Sequence, residues 1–212
     1  MAKPLIKAGH LENLTDARYF AARDVAWLGF DLDENNEEAI STLELNAIKE
    51  WVEGPKIIAE VGFLNPASKT LLDQLSGVDG IQLSGFGEVP ENILHPSQVV
   101  IREVVVQNDG TIPFDLTHFP ENEILLFDLE KNHVNPDALG LSVDDYYKWL
   151  RALVKQTDQY ILDVPFIGEE LYQFVQAFDP MAIQLKGSEE EKIGFKSYDD
   201  IDAFFEYFEE WA

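Results

Sequence analysis

Short apolar runs rich in Val, Ile and Phe alternate along the chain with longer stretches whose apolar positions recur at helical spacing. That alternation is the mark of strand-helix units built around a parallel sheet. The strands read as Pro4 to Ala8, Val25 to Phe30, Lys56 to Phe63, Gly80 to Leu83, Val99 to Val106, Glu123 to Asp128, Tyr160 to Asp163 and Met181 to Leu185. Among the connections, Asn13 or Thr15 caps a helix running to about Arg23. Leu43, Leu45, Ile48, Trp51 and Val52 define one over Ser41 to Val52. Pro66 opens a helix to Leu75, since a proline in the first turn gives up an N–H that has no helical acceptor. Ser142 and Asp145 resemble a capping box ahead of Tyr146 to Val154, and helices over Gly168 to Phe178 and Ser197 to Trp211 complete the set. Pro90 to Leu94 and Pro113 to Phe119 carry no clear period and read as irregular connections.

Eight strands spaced by about 25 residues predict an α/β fold, a (β/α)8 TIM barrel at the small end of its size range. An open doubly wound sheet is the alternative, but it usually has fewer strands and often a glycine-rich first turn, missing here. No linker or low-complexity stretch divides the chain, so residues 1–212 read as a single domain. In a barrel the chemistry sits at the carboxyl ends of the strands. That singles out Lys7 to His10, Phe30 to Asp33, Gly62 to Asn65, Ser84 to Phe86, Val106 to Asn108, Asp128 to His133, Asp163 to Phe166 and Lys186 to Glu190.

Charge narrows the partners. With 40 acidic against 15 basic residues the formal charge is −25, a field that repels nucleic acid and anionic membranes. The acidic runs Asp33 to Glu38, Glu189 to Glu191 and the tail up to Glu210 fall in loop or helix-face contexts and read as solvated surface. No stretch reaches the roughly 18 apolar residues of a membrane span, and the N-terminus lacks the apolar run of a secretory signal. A cytoplasmic protein, monomeric or homodimeric, with a small-molecule ligand is the expectation. The absence of cysteine excludes disulfides, thiolate metal sites and any thiol base. His10, His95, His118 and His133 show no metal-binding spacing. Asp31, Asp33 and Asn35 begin like a calcium loop, but Asn36 stands where the loop needs glycine and Thr42 where it needs its last acid. No metal or other cofactor is expected.

Lys7 to Phe30, Val61 to Asn65, Val78 to Gly85, Leu125 to Asp128 and Gly194 to Lys196 resemble stretches of the phosphoribosylanthranilate isomerase family of tryptophan biosynthesis. Lys7 to Phe30 is similar to that family's opening, K-[IV]-C-G-[IL]-T-N-x-E-D-A, followed by a helix and a G-A-D-x-[LIV]-G-F strand. Val61 to Asn65 resembles its V-G-V-F-V-N, Val78 to Gly85 its L-D-x-V-Q-L-H-G, Leu125 to Asp128 its L-L-L-D, and Gly194 to Lys196 its P-G-x-K. The matches run in order over nearly the whole chain. The resemblance implies a TIM barrel and an Amadori rearrangement of a phosphoribosyl amine, with a cysteine base after the first strand and an aspartic acid after the sixth.

Asp128 matches the acid, either as a retained proton donor or as a cap on backbone N–H groups. The base position falls on Ala8 or Gly9, neither of which can take a proton. The proton carriers nearest are His10, Lys7 and Glu12. His10 suits a base by its intrinsic pKa, about 6.5, or is a plain loop histidine. Lys7, flanked by Ile6 and Ala8, points into the barrel as a base or as the partner of an acid such as Asp128 or Glu60.

Other departures fall on groups the family uses to hold anions. Its arginine after the second strand is replaced by Asp31, Asp33, Glu34, Glu37 and Glu38, and the histidine of its Q-L-H-G by Ser84. The run after the sixth strand has no glycine, and the phosphate-contacting G-G-L after the seventh becomes Val164-Pro165-Phe166. Proline has no N–H to donate. After the eighth, Lys186, Gly187 and Ser188 still offer charge, backbone and hydroxyl donors to an anionic or phosphorylated ligand.

The residues therefore support a diverged relative that has lost the isomerisation and binds or converts another small molecule, through Lys7, His10, Ser84, Asp128 and Lys186 to Ser188. Two alternatives stay open. One is a working isomerase with Asp128 as acid and His10 or Lys7 as base. The other is a non-catalytic interaction protein using aromatics of the last helix, Phe204, Phe205, Tyr207, Phe208 and Trp211.

Overall fold

The computed structural model describes residues 3–33, 36, 39–63, 77–84, 89, 94–116, 119, 120, 122–166, 168–187, 190–192 and 195–209. Eight parallel strands close into a barrel: β1 (Leu5–Leu11), β2 (Trp27–Asp31), β3 (Lys56–Glu60), β4 (Gly80–Ser84), β5 (Val99–Val105), β6 (Ile124–Asp128), β7 (Tyr160–Asp163) and β8 (Ala182–Lys186). The seam is the β1–β8 pairing, in register from Leu5 with Ala182 to Gly9 with Lys186. Helices α1 (Leu14–Ala21), α2 (Thr42–Lys49), α3 (Pro136–Leu139), α4 (Val143–Val154), α5 (Gly168–Phe178) and α6 (Asp199–Glu209) lie among the connections. The expected helix over Pro66 to Leu75 lies outside the described residues.

The caps at Asn13 and Ser142 form as expected, and Ser41, where a helix was expected to begin, supplies a further one. Asn13 accepts from the Asp16 N–H at 2.9 Å, Ser41 forms a reciprocal capping box with Glu44, and Ser142 accepts from the Asp145 N–H at 3.2 Å. Each satisfies an N–H that a helix start leaves without an acceptor, a contribution of about 1 kcal/mol.

Two boundaries differ from the sequence expectation. β1 runs on to Leu11, with His10 in the left-handed region at φ 53 and a register shift against β2 between Ala8 and Leu11. The strand bulges there because the Glu60 carboxylate captures the His10 N–H at 2.9 Å. A short antiparallel pair, β9 (Glu190–Lys192) and β10 (Phe195–Lys196), follows β8 where only an acidic run was expected.

Strand alternation builds two apolar layers. Leu28, Phe30, Ala59, Leu83, Val104, Phe127, Leu162 and Ile183 face outward and pack against Phe20, Leu45, Leu150, Phe174, Phe204 and Phe205 of the helices. Trp27, Ile58, Ile101, Leu126, Ile161 and Ala182 form a separate cluster inside the barrel. Phe204, Phe205 and Phe208 are thus core residues, not a free aromatic face. Among the described residues no helix is long and apolar enough to cross a membrane.

Candidate binding site at the barrel mouth

Because side chains alternate across a strand, the residue two places after each interior apolar one also points inward, nearer the carboxyl end. Those residues are Gly29, Glu60, Glu103, Asp128, Asp163 and Gln184, so a polar layer caps the apolar one. Lys7 enters this layer fully buried. Its ammonium donates to the Glu60 carboxylate and, at 2.6 Å, to Gln184 Oε1, while Gln184 Nε2 donates to Asp163 Oδ2 at 2.6 Å.

Two glycines make room for this chain of bonds. A Cβ on Gly29 would lie 2.0 Å from Glu60 Oε1 and 2.8 Å from Lys7 Nζ, and one on Gly9 2.6 Å from Gln184 Oε1. The position that could have held a base side chain is therefore occupied by a neighbouring network. Among the described residues, Ala8, the other residue at that position, is wholly buried in the outer core.

Glu60 links Lys7 to His10: its Oε2 accepts the His10 N–H and lies 3.3 Å from His10 Nδ1. Burial pushes the Glu60 carboxyl up, but Lys7, His10 and the hydrogen bonds outweigh it and hold the group below the usual glutamate range. For Asp163 and Glu103 the nearby cations, Lys186 and Lys131, do not outweigh burial. Burial and the neighbouring Asp128 charge push Asp163 up to about 8, against Lys186 and the Gln184 hydrogen bond. Burial and Asp128 likewise raise Glu103, against Lys131 and His10. A carboxyl held this far above the usual range is of the kind that can carry a transferable proton.

The sequence-derived candidates gather at this end of the barrel but do not converge. His10 and Ser84 line a cavity of about 250 Å³ with Asp31, Asp33, Glu60, Gln82, Glu103 and Lys131. Lys186 and Gly187 line another of about 390 Å³ with Glu130, His133, Asp163, Val164, Pro165 and Phe166. Lys7 borders neither. Asp128 is buried, accepts the Lys131 N–H at 2.8 Å, and borders neither cavity. Lys186 Nζ sits 3.7 Å from Glu130 and 3.9 Å from Asp163. Ser188 lies outside the described residues.

Glu103 and Gln82 are not among the sequence-derived candidates, and Lys131 falls in the singled-out span Asp128 to His133 without an assigned role. The available signal was a polar residue two positions beyond an interior apolar one, as in Ile101 and Glu103, or Gly80 and Gln82. Among the described residues no three His, Asp or Glu side chains are grouped to hold a metal ion.

A closed eight-stranded barrel with a polar mouth is the TIM-barrel class, and the solved structures it matches include members of the family that the sequence resembles, beside another TIM barrel, KGPDC from Streptococcus mutans. Phosphoribosyl anthranilate isomerase from Thermus thermophilus superposes with a TM-score of 0.70 at 21% identity, over 98% of this chain and all 100% of that one. The enzyme from Thermotoga maritima gives 0.68 at 18%, over 97% and 98%. That from Thermococcus kodakaraensis gives 0.69 at 12%, over 98% and 99%. No family model matches the sequence, and no curated protein matches it. At these identities the likeness establishes a shared fold, that of the phosphoribosylanthranilate isomerases, and leaves the activity to the chemistry of the mouth.

Proposed function

We propose that this chain is a diverged phosphoribosylanthranilate isomerase-like barrel, a single domain over 1–212, that has lost the isomerisation and binds or converts a different small molecule at its mouth. The observation that carries the reading is the charge around the two cavities. The smaller is lined by four carboxylates, Asp31, Asp33, Glu60 and Glu103, against one lysine. In the larger, Lys186 already faces Glu130 and Asp163, and Pro165 removes a backbone donor.

A phosphoribosyl aminobenzoate carries negative charge at both ends, and each carboxylate facing it without a cation opposes binding. The chain also has no cysteine to abstract the proton. Complementation of a tryptophan auxotroph lacking the isomerase tests the reading. No growth is expected from an expressed, folded protein; growth that disappears on Asp128→Asn would overturn it.

A second reading keeps the isomerase, with His10 as base and Asp128 as acid. It is favoured by one observation: His10 lines a cavity and its Nδ1 is 3.3 Å from Glu60, the contact that orients a histidine base. Against it, Asp128 borders neither cavity.

A further inference from the structure

We propose that the smaller cavity, between His10 and Lys131, receives the primary ammonium group of a small organic amine, held by Gln82 and Glu103. The proposal rests on the reading above that the mouth is a ligand site, and it names the chemistry that site would accept.

The first observation is an amide without a partner. Gln82 is 4% exposed and lines this cavity, yet its Oε1 is buried and accepts no hydrogen bond among the described residues. A buried carbonyl oxygen left in that state is costly, so a native structure that keeps one in a cavity wall invites a donor. Its strand neighbours offer none: Gln82 pairs in register with Glu60 on one side and Ile101 on the other.

The second observation is how the surrounding carboxylates are used. Glu60 is engaged by Lys7 and His10. Asp31 accepts the Asp33 N–H at 2.8 Å and the Asn36 side chain. The carboxyl group of Glu103, a residue in register with Ser84, has no side-chain hydrogen bond among the described residues, and burial with the Asp128 charge holds it above the usual range although Lys131 and His10 act against them. The two residues that carry these acceptors, one neutral and one acidic, thus line a cavity of about 250 Å³.

The group that meets both must bring positive charge and more than one donor hydrogen. A primary ammonium brings three donors and no acceptor; an alcohol brings one donor, and a carboxylate would face Glu103 directly. A metal ion fits less well, because the described acids are spread along the wall instead of grouped. The chain's charge of −25 adds a long-range attraction for cations.

Isothermal titration of the full-length protein with 1,4-diaminobutane tests this, with 1,4-butanediol and succinate as neutral and anionic probes and magnesium chloride as the inorganic cation. The diamine is expected to bind and the other three not to compete with it. Gln82→Leu and the isosteric Glu103→Gln should each weaken diamine binding by about tenfold or more, the loss of one buried hydrogen bond. Asp144→Asn, which removes the same unit of charge from an exposed position on α4, should change it less than about twofold. Circular dichroism of each variant separates lost binding from lost folding. No heat with the diamine, displacement of it by magnesium or butanediol, or unchanged affinity in folded Glu103→Gln overturns the proposal. None of those outcomes bears on whether the barrel isomerises phosphoribosylanthranilate, which complementation reads separately.

Discussion

Replacing Lys7 with methionine removes a fully buried ammonium from the barrel interior while keeping an unbranched apolar stem. In the wild type it bonds to Glu60 and to Gln184, at 2.6 Å in the second case, with no exposed surface. Removing one member of a buried pair strands the other charge, at a cost of about 3–5 kcal/mol. For a chain of this size each kcal/mol moves Tm by about 2–4 °C, so Lys7→Met should melt roughly 6–20 °C lower at pH 7. The pH dependence gives a sharper test. Glu60 sits below the usual range in the wild type, so its stabilising effect is present above the unfolded pKa, about 4.3, and fades as pH falls through the folded value. Without Lys7, burial dominates and raises Glu60, which reverses the sign: the variant is least penalised in acid and loses stability as pH rises. Thermal melts by circular dichroism from pH 4 to 8 should show a gap that narrows toward pH 4, and Lys7→Met combined with Glu60→Gln should recover much of the loss. A drop under about 2 °C at pH 7, or a gap independent of pH, would refute this account of the polar layer.

Gly29→Ala should destabilise by at least about 1–3 kcal/mol, because its Cβ would fall 2.0 Å from Glu60 Oε1; an unchanged urea midpoint would mean the network is not packed against that strand. Asp163→Asn should stabilise with a slope in pH. Asp163 is pushed up to about 8 by burial and Asp128, so its contribution is whole below the unfolded pKa of about 3.9 and is lost as pH climbs toward 8. The asparagine still accepts from Gln184 and cannot ionise, so its advantage should grow from near zero at pH 4 by up to about 1.4 kcal/mol per pH unit toward pH 8, and a constant offset in urea denaturation would contradict it.

The barrel was legible because eight apolar runs recur at about 25-residue spacing; the structure then places Ile58 and Glu60 inside it and Ala59 outside. Lys7 was read as pointing into the barrel, as a base or as the partner of Asp128 or Glu60; Glu60 is its partner, while Asp128 holds the Lys131 N–H. The split of the mouth into two cavities was not legible. It follows from registers between strands far apart in sequence, which bring Lys7 to Gln184 and Gln184 to Asp163. Nor does sequence distinguish a strand glutamine with a partner, Gln184, from one whose carbonyl lacks it, Gln82. The bulge at His10 was missed for a similar reason: it depends on a carboxylate from β3, 50 residues away.

On the function proposed above, the mouth presents a carboxylate-rich wall where the family that the sequence resembles has a thiol base and anion-holding groups. The most direct measurement is steady-state conversion of phosphoribosylanthranilate by the purified, folded protein, followed by chromatographic detection of the amino-ketose product. The account predicts no conversion above the spontaneous background at saturating substrate; turnover in the ordinary enzymatic range of about 1–1000 per second would contradict it.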